Sequence, residues 1–170
     1  MTSRPRILTI VIAGSLALAG CGKSMSDRAA ELAVQAATGN KVDVSKSGNE
    51  MTVKTDQGVM KASSGNNLTV PAEFPTDVHL PKTAYTISNV VQMGHTIILT
   101  LHSPSTMNEL YVEYDTTMKS AGWKEAMAMQ SSQAESLLSF QKDNRVVTVT
   151  LAAQSGQGGG TNVSLQHLVQ

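Results

Sequence analysis

The sequence has few aromatic side chains and a single cysteine. Aromatic residues make up 4% of the 170 residues, so valine, leucine and nine methionines have to fill much of the interior. With Cys21 as its only cysteine, the chain contains no internal disulfide. Basic and acidic residues are balanced at 13 each, and no basic cluster interleaved with aromatics is present, which argues against nucleic-acid binding.

The sequence also lacks the short motifs that are typical of catalysis or cofactor binding. No Gly-x-Ser-x-Gly elbow is present. Gly22-Lys23-Ser24 is like the end of a phosphate-binding loop, but the first glycine of that motif is replaced by Ala17 and no strand is expected before it. Gly156 to Gly160 lies between expected strands and is interpreted as a flexible hairpin loop. These observations predict a protein that is not an enzyme, has no catalytic residue and binds no cofactor.

The four histidines do not suggest a metal centre. None of them has a histidine, cysteine or carboxylate at a ligand spacing beside it, so surface or turn positions are expected and no metal is predicted. The residues are His79, His95, His102 and His167.

The only long apolar run is at the N-terminus. Arg4 and Arg6 precede an uncharged stretch of residues 7–18, in the order of a signal peptide. Twelve residues span roughly 18 Å as a helix, which is short for a permanent crossing of a bilayer core of about 30 Å. The sequence therefore predicts an export signal over residues 1–20.

The signal ends in Leu18-Ala19-Gly20-Cys21, which resembles the lipobox of bacterial lipoproteins. The resemblance implies cleavage before Cys21, a diacylglyceryl group on its thiol and an added acyl chain such as palmitate, so the membrane is the expected partner. It places a periplasm-facing protein in the cell envelope. Gly22 favours the outer membrane, which is the expectation, whereas Lys23-Ser24 resembles an inner-membrane retention signal of some bacteria.

The mature chain divides by composition. Residues 21–26 form a polar tether, and residues 27–70 contain a helix from Arg28 to about Thr38 followed by a small β-meander. Residues 71–82 hold three prolines and are interpreted as an extended linker. A second unit occupies residues 83–170.

Hydrophobic periodicity in residues 83–170 predicts the order β-β-α-β-β-β-β, with strands over residues 85–93, 95–102, 123–129, 137–142, 145–153 and 162–169. The helix is expected to start at Ser103-Pro104 and to end near Ala121, before Gly122. The fold class is therefore α+β: an antiparallel sheet of about six strands with one helix on a face, preceded by the short helix and the meander. Residues expected on the helical core face are Met107, Leu110, Tyr111, Tyr114 and Met118, and inward strand residues are Ile97, Leu99, Leu101, Val147, Val149, Leu151, Val163 and Leu165.

Two further segments resemble small α+β domains of bacterial envelope lipoproteins. They are the entry Phe74-Pro75-x-Asp77-Val78 and the helix end Ala121-Gly122-Trp123. This resemblance implies a binding or scaffold module and assigns no catalytic residue.

The leading hypothesis is a membrane-anchored, non-enzymatic interaction or scaffold module with an envelope protein as a candidate partner. A hydroxyl-rich sheet face is the candidate docking surface, unless it is simply solvated or covered by the meander; it consists of Thr96, Thr100, Thr148, Thr150 and Gln166. Glu109 and Glu113 are expected to form a solvated acidic stripe. One alternative is a carrier of a small apolar ligand in a cavity lined by Met107, Tyr111 and Met118. Another is an enzyme whose dispersed residues converge, among them His95, His102 and Asp115.

Overall fold

The computed structural model describes residues 28, 32, 42–55, 58–130, 134–156 and 159–170, without the side chain at position 67. The predicted signal peptide, the lipid attachment site Cys21 and the tether lie outside the described residues. Arg28 and Leu32 are helical, as predicted for the first helix, whose other positions also lie outside the described residues. Both are exposed, although Leu32 was expected on the apolar side of that helix. No helix in the described part of the chain is both long and apolar enough to cross a bilayer.

Within the described ranges, nine strands form one antiparallel sheet. Its order is β1-β2-β3-β4-β5-β9-β8-β7-β6, so β1 and β6 are the edges. The elements are β1 (Asp43–Ser47), β2 (Glu50–Thr55), β3 (Gly58–Leu68), β4 (Thr86–Met93), β5 (Thr96–Ser103), α1 (Met107–Ser120), β6 (Lys124–Gln130), β7 (Glu135–Lys142), β8 (Arg145–Ala153) and β9 (Thr161–Val169).

The expectation of a six-stranded sheet with a separate meander is wrong. β3 pairs with β4 from Met60 opposite Met93 to Leu68 opposite Ile87, with a register shift after Ser64. The meander therefore widens the same sheet and does not cover its face. Local alternation predicted the three N-terminal strands, but it carries no information on which distant strand they join.

The helix α1 begins later than expected. Its N-cap is Thr106, whose hydroxyl accepts a hydrogen bond from the Glu109 N–H, while the Glu109 carboxylate accepts one from the Thr106 N–H. This reciprocal capping box satisfies two N–H groups that the first turn would otherwise leave open, so it fixes the start better than Ser103 would. The Thr106 N–H also lowers the pKa of the Glu109 carboxyl.

One side of β4 to β9 carries the hydrophobic core. The inward strand residues predicted above are all buried, and so is Trp123. The helix contributes Met107, Leu110, Tyr114 and Met118, with Tyr111 partly buried, and contacts β6, β7 and β8. We call residues 69–85, between β3 and β4, the irregular segment. Its Phe74 and Val78 complete this layer. The helix and this segment therefore lie on the same side of the sheet, which we call the core face.

Candidate functional site

The opposite side of the sheet, the outer face, carries an apolar patch on β2 to β5. Strand register aligns Val53, Met60 and Met93 in one cross-strand row. A second row consists of Met51, Ala62, Val91 and Ile98. We call these seven residues the apolar patch. Met51 is 37% exposed and Met93 is 56% exposed, while the others are half-buried.

A cavity lies at the end of the apolar patch where the β2–β3 and β4–β5 hairpins turn. Its volume is about 460 Å³, and Val53, Met60 and Met93 form its apolar wall beside Val59 and two glycines. Methionine side chains are flexible and polarisable, so such a wall adapts to ligands of irregular shape. A volume in this range accommodates a small organic molecule.

The predicted hydroxyl-rich surface continues from the apolar patch across the outer face. Thr100 faces Ser164 and then Thr150 across three strands, while Ile98 faces Gln166 and then Thr148. Thr96 follows Met93 in the first row. The prediction that these side chains share the face away from the helix is confirmed. The outer face is thus apolar at β2 to β4 and polar without charge at its centre.

On the core face, the carboxylate of Asp77 joins three parts of the fold. Arg145 donates two hydrogen bonds to it, at 2.8 and 2.9 Å, and Lys142 donates one at 2.9 Å. The Trp123 indole N–H donates to the Asp77 carbonyl oxygen at 3.0 Å, and the Arg145 guanidinium lies 4.9 Å from the Trp123 ring centroid. These four residues form the Asp77 clamp. Hydrogen bonds from Arg145, helped by Lys142, hold the pKa of Asp77 far below its usual range.

A second tie joins the irregular segment to α1. Glu113 accepts hydrogen bonds from the Lys82 backbone N–H at 2.8 Å and lies 2.6 Å from His79 Nε2. Glu109 meanwhile belongs to the helix cap. The interpretation of these two carboxylates as a solvated stripe is therefore wrong for Glu113, which is partly buried against the irregular segment, whereas Glu109 is exposed.

The histidines fall into different environments. His95 is exposed in a turn, whereas His167 is 4% exposed on the core face, packed edge-on against Phe74. Burial, assisted by the positive charge of Arg145, lowers the pKa of His167 and keeps its ring neutral. The expectation that all four histidines occupy surface or turn positions is therefore wrong for His167. Within the described residues, no group of three or more histidine, cysteine or acidic side chains is arranged to hold a metal ion.

The residues proposed for the two alternative functions are not brought together in a cleft. His95 precedes β5 and His102 lies near the other end of that strand, while Asp115 on α1 pairs with Lys119 at 2.6 Å. Met107 and Met118 belong to the packed core, where Met118 is fully buried. A ligand between helix and sheet would have to displace these side chains, so the cavity beside the apolar patch is the better candidate site.

Sequence reasoning missed the apolar patch and the Asp77 clamp. The alternating apolar residues of β2 and β3 were visible, but their alignment with Val91 and Met93 depends on the pairing of β3 with β4. Asp77 was noted only within a resembling segment. Trp123 was expected to pack in the core, where it lies, but its contact with Asp77 was not anticipated.

Comparison with known proteins gives one match. A family model described as START domain-like matches residues 86–160, from the start of β4 to the loop before β9. The matched stretch is shorter than half of the chain. No curated protein and no solved structure matches the chain.

Proposed function

We propose that this protein is a non-enzymatic binding module of the bacterial cell envelope, anchored by lipid at Cys21, that carries a small apolar ligand on the apolar patch. The observation that carries the proposal is the cavity of about 460 Å³ walled by Val53, Met60 and Met93. The START-like match supports a ligand-binding role, since domains of that kind typically bind ligands. The Leu18-Ala19-Gly20-Cys21 motif supports the anchor.

The surroundings of the cavity favour an alkyl or aromatic ligand over a charged one. Its apolar wall offers burial to a hydrocarbon, at roughly 25 cal/mol per Å² removed from water. No charged side chain lines it among the described residues. The uncharged hydroxyl and amide groups of Thr96, Thr100 and Gln166 extend from the apolar patch and suit a polar head on the same molecule.

The ligand site is tested with Met93→Glu. Met93 is exposed on the cavity wall, so the change leaves the core intact but places a carboxylate where an apolar ligand would lie. We expect on the order of ten-fold weaker binding of Nile red and of radiolabelled hexadecanol, an uncharged alkyl ligand, since desolvating one charge costs more than about 1.4 kcal/mol. The measurement is a fluorescence titration of the detergent-solubilised full chain, repeated as competition with hexadecanol.

Val112→Glu is the matched control, because Val112 is 62% exposed on the solvent-facing side of α1. The helix α1 packs on the core face of the sheet, away from the apolar patch. The control should leave both affinities unchanged. Equal affinities for Met93→Glu and the wild type, or a loss confined to Val112→Glu, would contradict the ligand site. A wild-type chain that binds neither probe would favour the interaction module without a small ligand.

The anchor is tested with Cys21→Ser. Because the thiol is the only acceptor of the diacylglyceryl group in this motif, the variant should lack the acyl mass that the wild type carries in mass spectrometry. If the wild type and the variant differ in mass only by the substitution itself, Cys21 is not lipidated and the proposed anchor is wrong. The ligand site would then still be judged by its own titration.

A further inference from the structure

β6 is an open edge of the sheet. It pairs with β7 on one side, and no strand among the described residues pairs with its other side. All seven of its residues are exposed, including Met127 at 50% and Met129 at 51%. An exposed edge with apolar side chains and no proline is a ready template for pairing with another strand.

The other edge of the sheet is different. β1 has five residues; its second residue, Val44, is 4% exposed, and the other four are exposed. β6 is longer, and all its side chains are exposed. The two edges are therefore unequal, and β6 is the one available for strand addition.

The run Met127-Ala128-Met129 of β6 is palindromic. An antiparallel pairing of β6 with a second copy about a two-fold axis at Ala128 therefore places methionine opposite methionine and alanine opposite alanine, with no charged side chain between them. We infer that β6 pairs antiparallel with β6 of a second copy of this chain, joining two sheets into one. The inference is independent of the ligand site, which lies at the opposite end of the sheet.

The register of β7 defines the geometry of this pairing. Met127 and Met129 oppose Ser139 and Leu137, which puts both methionines on the outer face, while Ala128 opposes Leu138 on the core face. In the self-complementary register Met127 lies opposite the partner subunit's Met129, and Ala128 lies opposite the partner subunit's Ala128. Side chains paired this way approach within roughly 4.5–5.5 Å at Cβ, so four methionines form one apolar cluster.

Charge distribution is compatible with this register. The charged residues of β6, Lys124 and Glu125, precede the palindromic centre, so they fall outside the methionine and alanine pairs. Lys119 already pairs with Glu125 at 2.7 Å. Like charges directly opposite each other in a pair of strands would be destabilising, and none are opposed across the central contact.

Cysteine crosslinking in intact cells tests the contact in the full chain. Ala128→Cys brings two thiols together across the two-fold axis, and diamide oxidises them to a disulfide by accepting the two hydrogens. We expect a species of twice the single-chain mass on non-reducing gels, on the order of ten-fold more abundant than for Val112→Cys, because a preformed contact raises the effective thiol concentration to the millimolar range. The wild type, treated alike, controls for Cys21.

Adding Met127→Lys and Met129→Lys to Ala128→Cys opposes ammonium groups across the axis and should reduce the disulfide to the Val112→Cys level. Sedimentation of the detergent-solubilised wild type gives a second measurement that needs no substitution, with a dimer expected. A monomer there, or a crosslink yield no greater than that of Val112→Cys, would overturn the inference. A crosslinked species of another mass would also overturn it and assign the edge to a different protein.

Discussion

Gly160→Ala should be among the most destabilising single changes in the described part of the chain. Gly160 has φ +88°, a backbone conformation that alanine adopts only with strain. An added Cβ would overlap the Ser103 carbonyl oxygen and lie 2.9 Å from Cε1 of His102. Because the backbone of β5 cannot yield easily, we expect a loss of about 3 kcal/mol in the free energy of unfolding. Thermal unfolding followed by circular dichroism should show Tm lowered by roughly 10 °C.

Gly159→Ala separates the two causes of this loss. Gly159 has φ +52°, but a Cβ there would meet no atom of the described residues within 4 Å. That variant should lose only about 1 kcal/mol in the free energy of unfolding, from the backbone strain alone. Equal losses for both variants would show that the close approach of Gly160 to Ser103 contributes nothing. The approach matters because Thr161, the next residue, donates a hydrogen bond to the Ser105 carbonyl at 2.9 Å and so ties the β8–β9 loop to the turn before α1.

Apart from β6, whose residues are all exposed, the elements of residues 83–170 were predictable because each buries one side. β8 was predicted with its observed ends and the other five strands to within two residues. In the strands other than β6, the alternation between apolar and polar side chains follows directly from burial on the core face. The helical face of Leu110, Tyr114 and Met118 follows from the same physics at a spacing of three and four residues. A periodic pattern thus suffices wherever one element packs on one layer.

The nine-stranded sheet was not predictable by this means. Periodicity assigns a strand its faces but not its neighbours, and the irregular segment with three prolines separates β3 from β4 in the sequence. The apolar patch depends on that pairing, because Met60 and Met93 are 33 positions apart in the sequence and adjacent only across the strands. The loop interpretation of residues 156–160 likewise gave a hairpin but not the tight contact of Gly160.

The Asp77 clamp illustrates the same limit for charged side chains. Asp77 lies in the segment after β3, whereas Lys142 and Arg145 flank the β7–β8 turn, so nothing in their spacing indicates contact. Composition predicts that a carboxylate and two cations will be on a surface, where such pairs contribute little. In the fold, Arg145 lies over the Trp123 ring and donates to the Asp77 carboxylate, while the Trp123 N–H donates to the Asp77 carbonyl oxygen. These contacts connect the irregular segment to the sheet.

Asp77→Asn should therefore destabilise the protein far more than removal of an ordinary surface charge. The amide retains an acceptor oxygen but not the negative charge that Arg145 and Lys142 share, and the side chain of Asp77 is only 31% exposed. We expect a loss of about 2 kcal/mol, between the values for exposed and buried ion pairs. Urea denaturation near neutral pH measures it. Asp143→Asn is the control, because Asp143 is 78% exposed and 4.0 Å from Arg145, and it should change stability by less than about 0.5 kcal/mol.

The pH dependence of the same variant identifies the charge as the cause. Since the folded state holds the pKa of Asp77 below the ordinary value of 3.8, the carboxylate contributes its full stabilisation above pH 3.8 and loses it as the pH falls further. The difference between wild type and Asp77→Asn should thus be constant in neutral solution and shrink once the pH drops below 3.8. A difference that persisted unchanged in acid would mean that Asp77 acts through the shape of its segment, with Trp123 Nε1 bound to its carbonyl oxygen, and not through its charge.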